Sequence, residues 1–383
     1  MNGTFQSSSL RAAFSHCVQQ VRSYDYHHYL CLLELPPNMR KAAFAIRAFN
    51  IEIARAMDVA SDPRIGLMRL VWWQEAIDKI YTKKTIEHPT AQALSSVIHE
   101  NKITKGWLKR LVEARINDAR KEVNEIPEKI EELERYAEDT ASTILYTTLQ
   151  ASGIQSTAAD HAASHVGKAS GLLLLIKSLP YHASRNRHFS YIPIEVAKKH
   201  GLLVERGGQS EIHLDSRESL CNVVFDMASV ANVHLQKARG LAGTVPAEAR
   251  PVLLPAVPAQ VLLDSLRRVH FDVFDLRLAK GVLGLPPLWF QLKLKWHSWR
   301  ALLLHPEMPI LPMKFEAKTA IEELKQQAIE EQPRMAICLE GPLQRDHAAS
   351  HIGKRSGLSF PDQVFALPRL AAVALFRIPI EEA

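Results

Sequence analysis

The stretch Arg40-Lys-Ala-Ala-Phe44-Ala-Ile-Arg47-Ala-Phe-Asn-Ile51-Glu52-Ile-Ala54-Arg55-Ala-Met-Asp58 decides how the rest of the chain is read, together with Arg69-Leu-Val-Trp72-Trp73-Gln-Glu75-Ala-Ile-Asp78. It has the pattern of two successive helices. Phe44, Ala48, Ile51 and Arg55 recur at spacings of four, three and four, so they share one helical face. That apolar stripe runs into Glu52, Arg55 and Asp58 near its end. An inward face that turns from apolar to charged either lines a pocket or emerges into solvent.

Leu35-Pro36, Arg40 and Ala45-Ile46-Arg47-Ala48-Phe49 resemble the opening of the squalene/phytoene synthase family. There the phrase is Leu-Pro, Arg, then Ala-Ile-Tyr-Ala-Phe-Cys-Arg, and an Asp-x-x-x-Asp motif follows. In the family that motif holds Mg²⁺ ions that bridge to the substrate diphosphate. Carboxylates at i and i+4 share a helical face, and hard cations take oxygen ligands. Carried onto this sequence, the two positions are Ala54 and Asp58, with the cationic Arg55 between them.

Two further stretches resemble the family. Tyr136 is followed by the small residues Thr140, Ala141 and Ser142, which either leave room for a prenyl chain or let helices pack closely. Asp160-His-Ala-Ala-Ser-His165-Val-Gly167-Lys168-Ala-Ser-Gly-Leu172 leads into Leu174, Lys177, Ser178 and His182. Those four stand where the family has Asn, Arg and the two aspartates of its second metal motif. One aspartate of four remains. The resemblance therefore implies no catalytic residues, no bound metal and a degenerate cavity at Ala54, Asp58, Ser178 and His182. Glu52, Arg55, Tyr136, Lys168 and Lys177 are further cavity candidates, and Arg185 and Arg187 are candidate anion contacts. The alternative is a transferase acting on prenyl diphosphates that recruits Mg²⁺ through Glu52, Asp58, Glu75 and Asp78. His161 and His165 share a helix face, but Ala162 stands where a zincin needs Glu, so packing is the simpler reading.

The phrases Tyr136-Ala-Glu-Asp-Thr-Ala-Ser142 and His161 to Gly171 resemble one branch of the family more closely than the synthases. That branch comprises the synthase-like assembly factors of mitochondrial respiratory complex I, the NADH dehydrogenase. The resemblance runs from Cys17 to Arg300. It implies an all-α isoprenoid-synthase type of bundle with a central cavity. It also implies a matrix-side protein of the inner membrane whose partners are complex I subunits or other assembly factors.

Composition sets outer bounds. The chain has 383 residues and a net charge of +6, which favours an anionic partner such as a membrane surface. The charge is spread out with no block of one sign, so nucleic acid is not expected. No run of about 18 apolar residues appears, and the four cysteines form no Cys-x-x-Cys pair. The first 24 residues lack Asp and Glu and carry Arg11 and Arg22. Residues 1–16 are thus compatible with a mitochondrial presequence, ahead of a domain over 17–300.

Helical patterning fills the region from Cys17 to about Gly240, with no strand-like alternation. Helices are expected over Cys17–Leu33, Asn38–Met57, from Pro63, over Thr90–Glu100 and over Thr104–Lys121. A long one runs from Pro127 to Gly153, another from Thr157 to a stop at Pro180, and another over Ser216–Arg239. Trp289, Leu292, Trp296 and Trp299 then recur at helical spacing, with Lys293, Lys295, His297 and Arg300 among them. Such a helix either touches inner-membrane lipid, as a peripheral lipid-binding module would, or packs on the bundle. After Arg300 the family resemblance stops. Residues 346–358 repeat 160–172 with two changes, a partial duplication within an atypical tail, 301–383.

Overall fold

The computed structural model describes residues 2–121, 125–186, 191–206, 209–212 and 217–300. All of them lie within one unit, Met1–Glu307. The tail with its partial repeat lies outside the described residues.

Helix α1 (Asn2–Tyr24) begins inside the stretch read as a presequence, and Ala13 and Cys17 are buried in the core. The expected helix Cys17–Leu33 is broken at Asp25, which starts α2 (Tyr26–Leu33). Asp25, at φ −148° and ψ 55°, leaves helical geometry and so ends α1, and its carboxylate faces Arg47 and His28 instead of capping the α2 amides. Helices α3 (Pro37–Ala54), α4 (Pro63–Tyr81) and α5 (Pro89–Asn101) each open on proline, which needs no amide partner there. Asp62 caps α4 by accepting from the Arg64 amide at 2.8 Å. Helix α6 (Lys105–Arg120) follows.

The helix expected from Pro127 starts later, as α7 (Ile130–Ala137). The Pro127 and Glu128 carbonyls accept from the amides of Ile194 and Glu195, and the Glu195 carboxylate returns a bond to the Ile130 amide. These residues cap α10 (Ile194–Lys199) instead of extending α7. After α7 come a π-helical turn, Glu138–Ser142, and α8 (Thr143–Ala151). Gly153, with φ of +73°, closes α8: its amide reaches Gln150 O and the next amide reaches Leu149 O.

Helix α9 (Thr157–Asn186) runs through Pro180, where a stop was expected. The proline removes one backbone bond, but Tyr181 and His182 beyond it are held by Asp58 and Tyr191. A short antiparallel pair, β1 (Leu203–Arg206) with β2 (Gln209–Ile212), is the one sheet among the described residues. Four-residue strands are too short to declare themselves by alternation. Helices α11 (Arg217–Gly240), α12 (Ala256–Arg268) and α13 (Pro287–Arg300) complete the bundle.

Two apolar clusters fill the unit. One joins α1 with α4, α5 and α6; the other joins α2 with α7, α9, α11 and α12. Helices α3 and α8 contribute to both and form the wall between them. Helix α9 lies against α11, α12 and the whole α7–α8 segment. It comes so close that a Cβ on Gly167 would sit 2.3 Å from Ser142 Cα, and one on Gly171 2.5 Å from Ala137 Cβ. Gly167→Ala is expected to cost about 3 kcal/mol or more in urea unfolding, because backbone stands in the way. Gly106→Ala, with its nearest neighbour at 3.9 Å, should be neutral or slightly stabilising.

Candidate functional site

Ala54 and Asp58 at the end of α3 line one cavity with Ser178 and His182 of α9. The cavity measures about 350 Å³. Its apolar wall comes from Ile53, Met57, Leu70, Ile144 and Leu174. Thr140 and Ala141 of the π turn also line it, whereas Ser142 faces Gly167 and bonds the Ser164 carbonyl. The small residues after Tyr136 thus serve both purposes considered, one pair giving space and the next residue giving close packing.

The polar wall is a hydrogen-bonded set. Tyr191 Oη donates to Asp118 Oδ2 at 2.8 Å, and Tyr136 Oη donates to the same oxygen at 3.3 Å. Arg115 donates to Tyr136 Oη at 2.6 Å. Burial pushes both phenols up, so they stay protonated donors. Tyr181 Oη donates to Asp58 Oδ1 at 3.0 Å, linking α9 to the end of α3. The His182 ring stands edge-on to Tyr191 at 4.9 Å. Among the described residues, Asn50 Oδ1, Arg115 Nε and Ser170 Oγ are buried without a hydrogen-bond partner, and all three residues line this cavity. Buried polar atoms of that kind call for water or a ligand.

These residues do not fit a Mg²⁺ cluster. Among the described residues, the carboxylates on the wall are Asp58 and Asp118, and both already accept from phenols. Arg47 and Arg115 add positive charge to the same wall. Of the others considered for recruitment, Asp78 pairs with Lys105 and Lys109 at 2.5 and 2.8 Å, and Glu75 lies 3.8 Å from Lys79.

Several sequence candidates lie elsewhere. Glu52 and Arg55 line a second groove with Trp72, Trp73 and His88. Residue 52 is about 200° around the helix from 54, which turns it away from the cavity. Arg55 instead stacks over the Tyr24 ring at 3.5 Å. Lys168 is absent from the cavity wall, and its Nζ lies 4.0 Å from Glu138 of the π turn. Lys177 is absent from the cavity wall; its amine lies toward Asp25 and His27, and burial pushes it down. The Arg185 side chain and Arg187 lie outside the described residues, as does the Trp299 side chain. His165 meets His234 of α11 at 2.9 Å, and His234 bonds Glu134, so this pair is part of helix packing.

One feature escaped the sequence reading. Asp25, His27 and His28 lie together, their ligand-type atoms within 4.8 Å of one another, and His28 and Arg47 reach the cavity wall. By donor type the three suit a metal ion. Arg47, however, donates to Asp25 Oδ2 at 2.5 Å and lies 2.5 Å from His28 Nδ1, which fills the position with a cation of the protein's own. Burial alone would raise the Asp25 carboxyl, but Arg47, His28 and His27 together hold it well below its usual range. Burial holds both histidines below theirs, aided at His27 by His28 and at His28 by Arg47. The signal was Asp25-Tyr-His27-His28, readable only once Arg47 was known to face it.

The profile of the squalene/phytoene synthase family matches residues 21–297. The chain is 36% identical over 285 residues to "NADH dehydrogenase (ubiquinone) complex I, assembly factor 6" of Bos taurus, covering 74% of this chain and 81% of that protein. To the homolog in Drosophila melanogaster it is 38% identical over 262 residues, covering 67% and 76%. The fold is similar to a crystal structure of a dehydrosqualene synthase, with a TM-score of 0.62 at 16% identity, covering 77% of this chain and 99% of that one.

Arg47→Met is expected to destabilise the protein by about 3–5 kcal/mol in chemical denaturation, since it strands a buried carboxylate. Arg47→Lys should recover only part, lacking the planar fork. Stability should also fall as pH drops below about 6.5. His27 and His28 are depressed, and burial beside His234 takes His165 to about 4. In that window the unfolded chain binds protons that the folded rings refuse, giving a slope of about 1.4 kcal/mol per pH unit per histidine. Asp25 adds to the loss below its own unfolded value, since its depressed carboxyl stabilises only while ionised. Urea midpoints across pH 4 to 8 check this; a flat profile contradicts it.

Proposed function

We propose that this chain, which belongs to the squalene/phytoene synthase family, acts without catalysis in the assembly of mitochondrial respiratory complex I. The observation that carries the reading is its 36% sequence identity, over most of both chains, to a protein named as a complex I assembly factor. The cavity supports the non-catalytic half. Of the four positions that the resemblance assigns to aspartate, this chain keeps Asp58 alone, and Tyr181 holds it. A diphosphate leaving group without metal ions has little to stabilise its charge. The fold is then a scaffold whose surfaces meet complex I subunits or other assembly factors. Its place in this reading is the matrix side of the inner membrane. An acid-free, arginine-bearing N-terminus agrees with mitochondrial import.

Cells lacking the protein, complemented with the wild type or with Asp58→Asn, provide the test. Both should restore assembled complex I equally on native gels, because the amide still accepts from Tyr181. The purified full chain should release no diphosphate from farnesyl diphosphate with Mg²⁺. Mg²⁺-dependent turnover abolished by Asp58→Asn, with complex I unrestored by that variant, would overturn the reading in favour of a prenyl transferase.

A further inference from the structure

The 25 residues from Leu276 to Arg300 carry five basic side chains and no acidic one. Within them, α13 is apolar on two opposite sides. Phe290 and Leu294 are buried in the core, with His297 beside them. Facing away, Leu288, Trp289, Leu292 and Trp296 are 67%, 65%, 51% and 50% exposed. At about 100° per residue those four fall within an arc of about 100°. On the same helical wheel Lys295 borders that arc on one side and Lys293 on the other. His297 lies on the buried side rather than among the exposed cations. Its own burial, with Lys293 and Arg239 near, pushes it down to about 4.

The exposed surface extends beyond the helix. Leu276 is 77% exposed and Phe274 40%. Gly284 approaches the Arg277 carbonyl, since a Cβ built there would meet it at 3.5 Å, so the turn bearing Leu276 lies beside the loop that enters α13. Isolated exposed apolar residues are ordinary, but a contiguous set of large ones marks a contact surface. Charge identifies the occupant. Lys280 is exposed, and Lys295, which meets Glu34 at 2.9 Å, keeps 70% of its side chain exposed, whereas Lys293 bonds Asp264 and Arg277 pairs with Asp275; no acidic residue interrupts the segment itself. Tryptophan and leucine bordered by lysine match the headgroup boundary of an anionic bilayer, apolar below and negative along its plane. Among the described residues no helix is long and apolar enough to cross a membrane, so the contact would be in-plane.

We propose that the outer face of α13 and the turn at Leu276 form a peripheral docking surface for an anionic lipid bilayer. Leu288, Trp289 and Leu292 enter the acyl boundary, and Lys280 sits at phosphate level with the exposed amine of Lys295 beside it, while Lys293 stays on Asp264. The proposal rests on this surface and not on the assembly reading, so either can fail alone.

The test is co-sedimentation of the full chain with phosphatidylcholine vesicles, with and without cardiolipin. Binding is expected only with cardiolipin, and should weaken as salt rises. The double variant Trp289→Ser with Leu292→Ser should lower apparent affinity about tenfold or more, with an unchanged melting temperature because both side chains are exposed. Lys280→Glu should lower it about fivefold. Val233→Ser, altering an exposed residue on α11, should change nothing. Equal binding to neutral vesicles, full binding by the double variant, or no binding at all would overturn the proposal. The last result, joined with loss of a protein complex in the double variant, would reassign the face to a protein partner.

Discussion

Backbone contact between α9 and the segment around Ser142 is the constraint on which the bundle depends. Gly167 and Gly171 remove the side chains that would otherwise hold α9 away from Ala137 and Ser142. With the helices in contact, Ser142 reaches the Ser164 carbonyl, and α9 is fixed against α7 and α8 together. The π turn adds the extra residue that brings Thr140 and Ala141 to the cavity wall while Ser142 faces the glycine. The two apolar clusters then meet across α3 and α8, and the cavity opens where Leu174, Ser178 and His182 continue along the same helix. Close packing and open space are thus two ends of one helix pair, and a change at the tight end is felt at the open end.

The chemistry of the cavity follows from what meets there. Asp118 is shared by two phenols, one of which also takes a bond from Arg115. Asp25 is held by Arg47 across the gap between α2 and α3. Each carboxylate is matched to a donor supplied by the chain itself. Such a set fixes side chains in one arrangement and leaves little free negative charge to gather hard cations. The unpartnered buried atoms of Asn50, Arg115 and Ser170 keep the lining of the cavity polar.

Much of this was legible in sequence. Proline at the first turn placed the starts of α3 and α4 within a few residues, and glycine after the last turn placed the end of α8, because those residues act locally. Ala54, Asp58, Ser178 and His182, far apart in sequence, line one cavity. The misses involve partners distant in the chain. Pro180 reads as a stop until Asp58, over 120 residues earlier, is seen to hold the turn beyond it. Pro127 reads as a helix start until its carbonyl is found capping α10. Glu52 and Arg55 were grouped with Asp58 by nearness in sequence, although the helix turns them toward different neighbours. Asp25 and Arg47 formed no pattern because their meaning lies in the pair.

Helix α13 carries a wider consequence. Its buried side chains point one way and its exposed apolar ones the other, so as vectors they nearly cancel. The helix has no net direction of hydrophobicity, although almost every large side chain on it is apolar or basic. A scan that looks for one-sided amphipathic segments passes over it. Helices wedged between a protein core and a second apolar phase belong to a class that is invisible to such scans for a geometric reason. They become visible when each apolar stripe is read by itself, as the spacing of Trp289, Leu292 and Trp296 allows, and the fold then shows that it has used the stripe of Phe290 and Leu294.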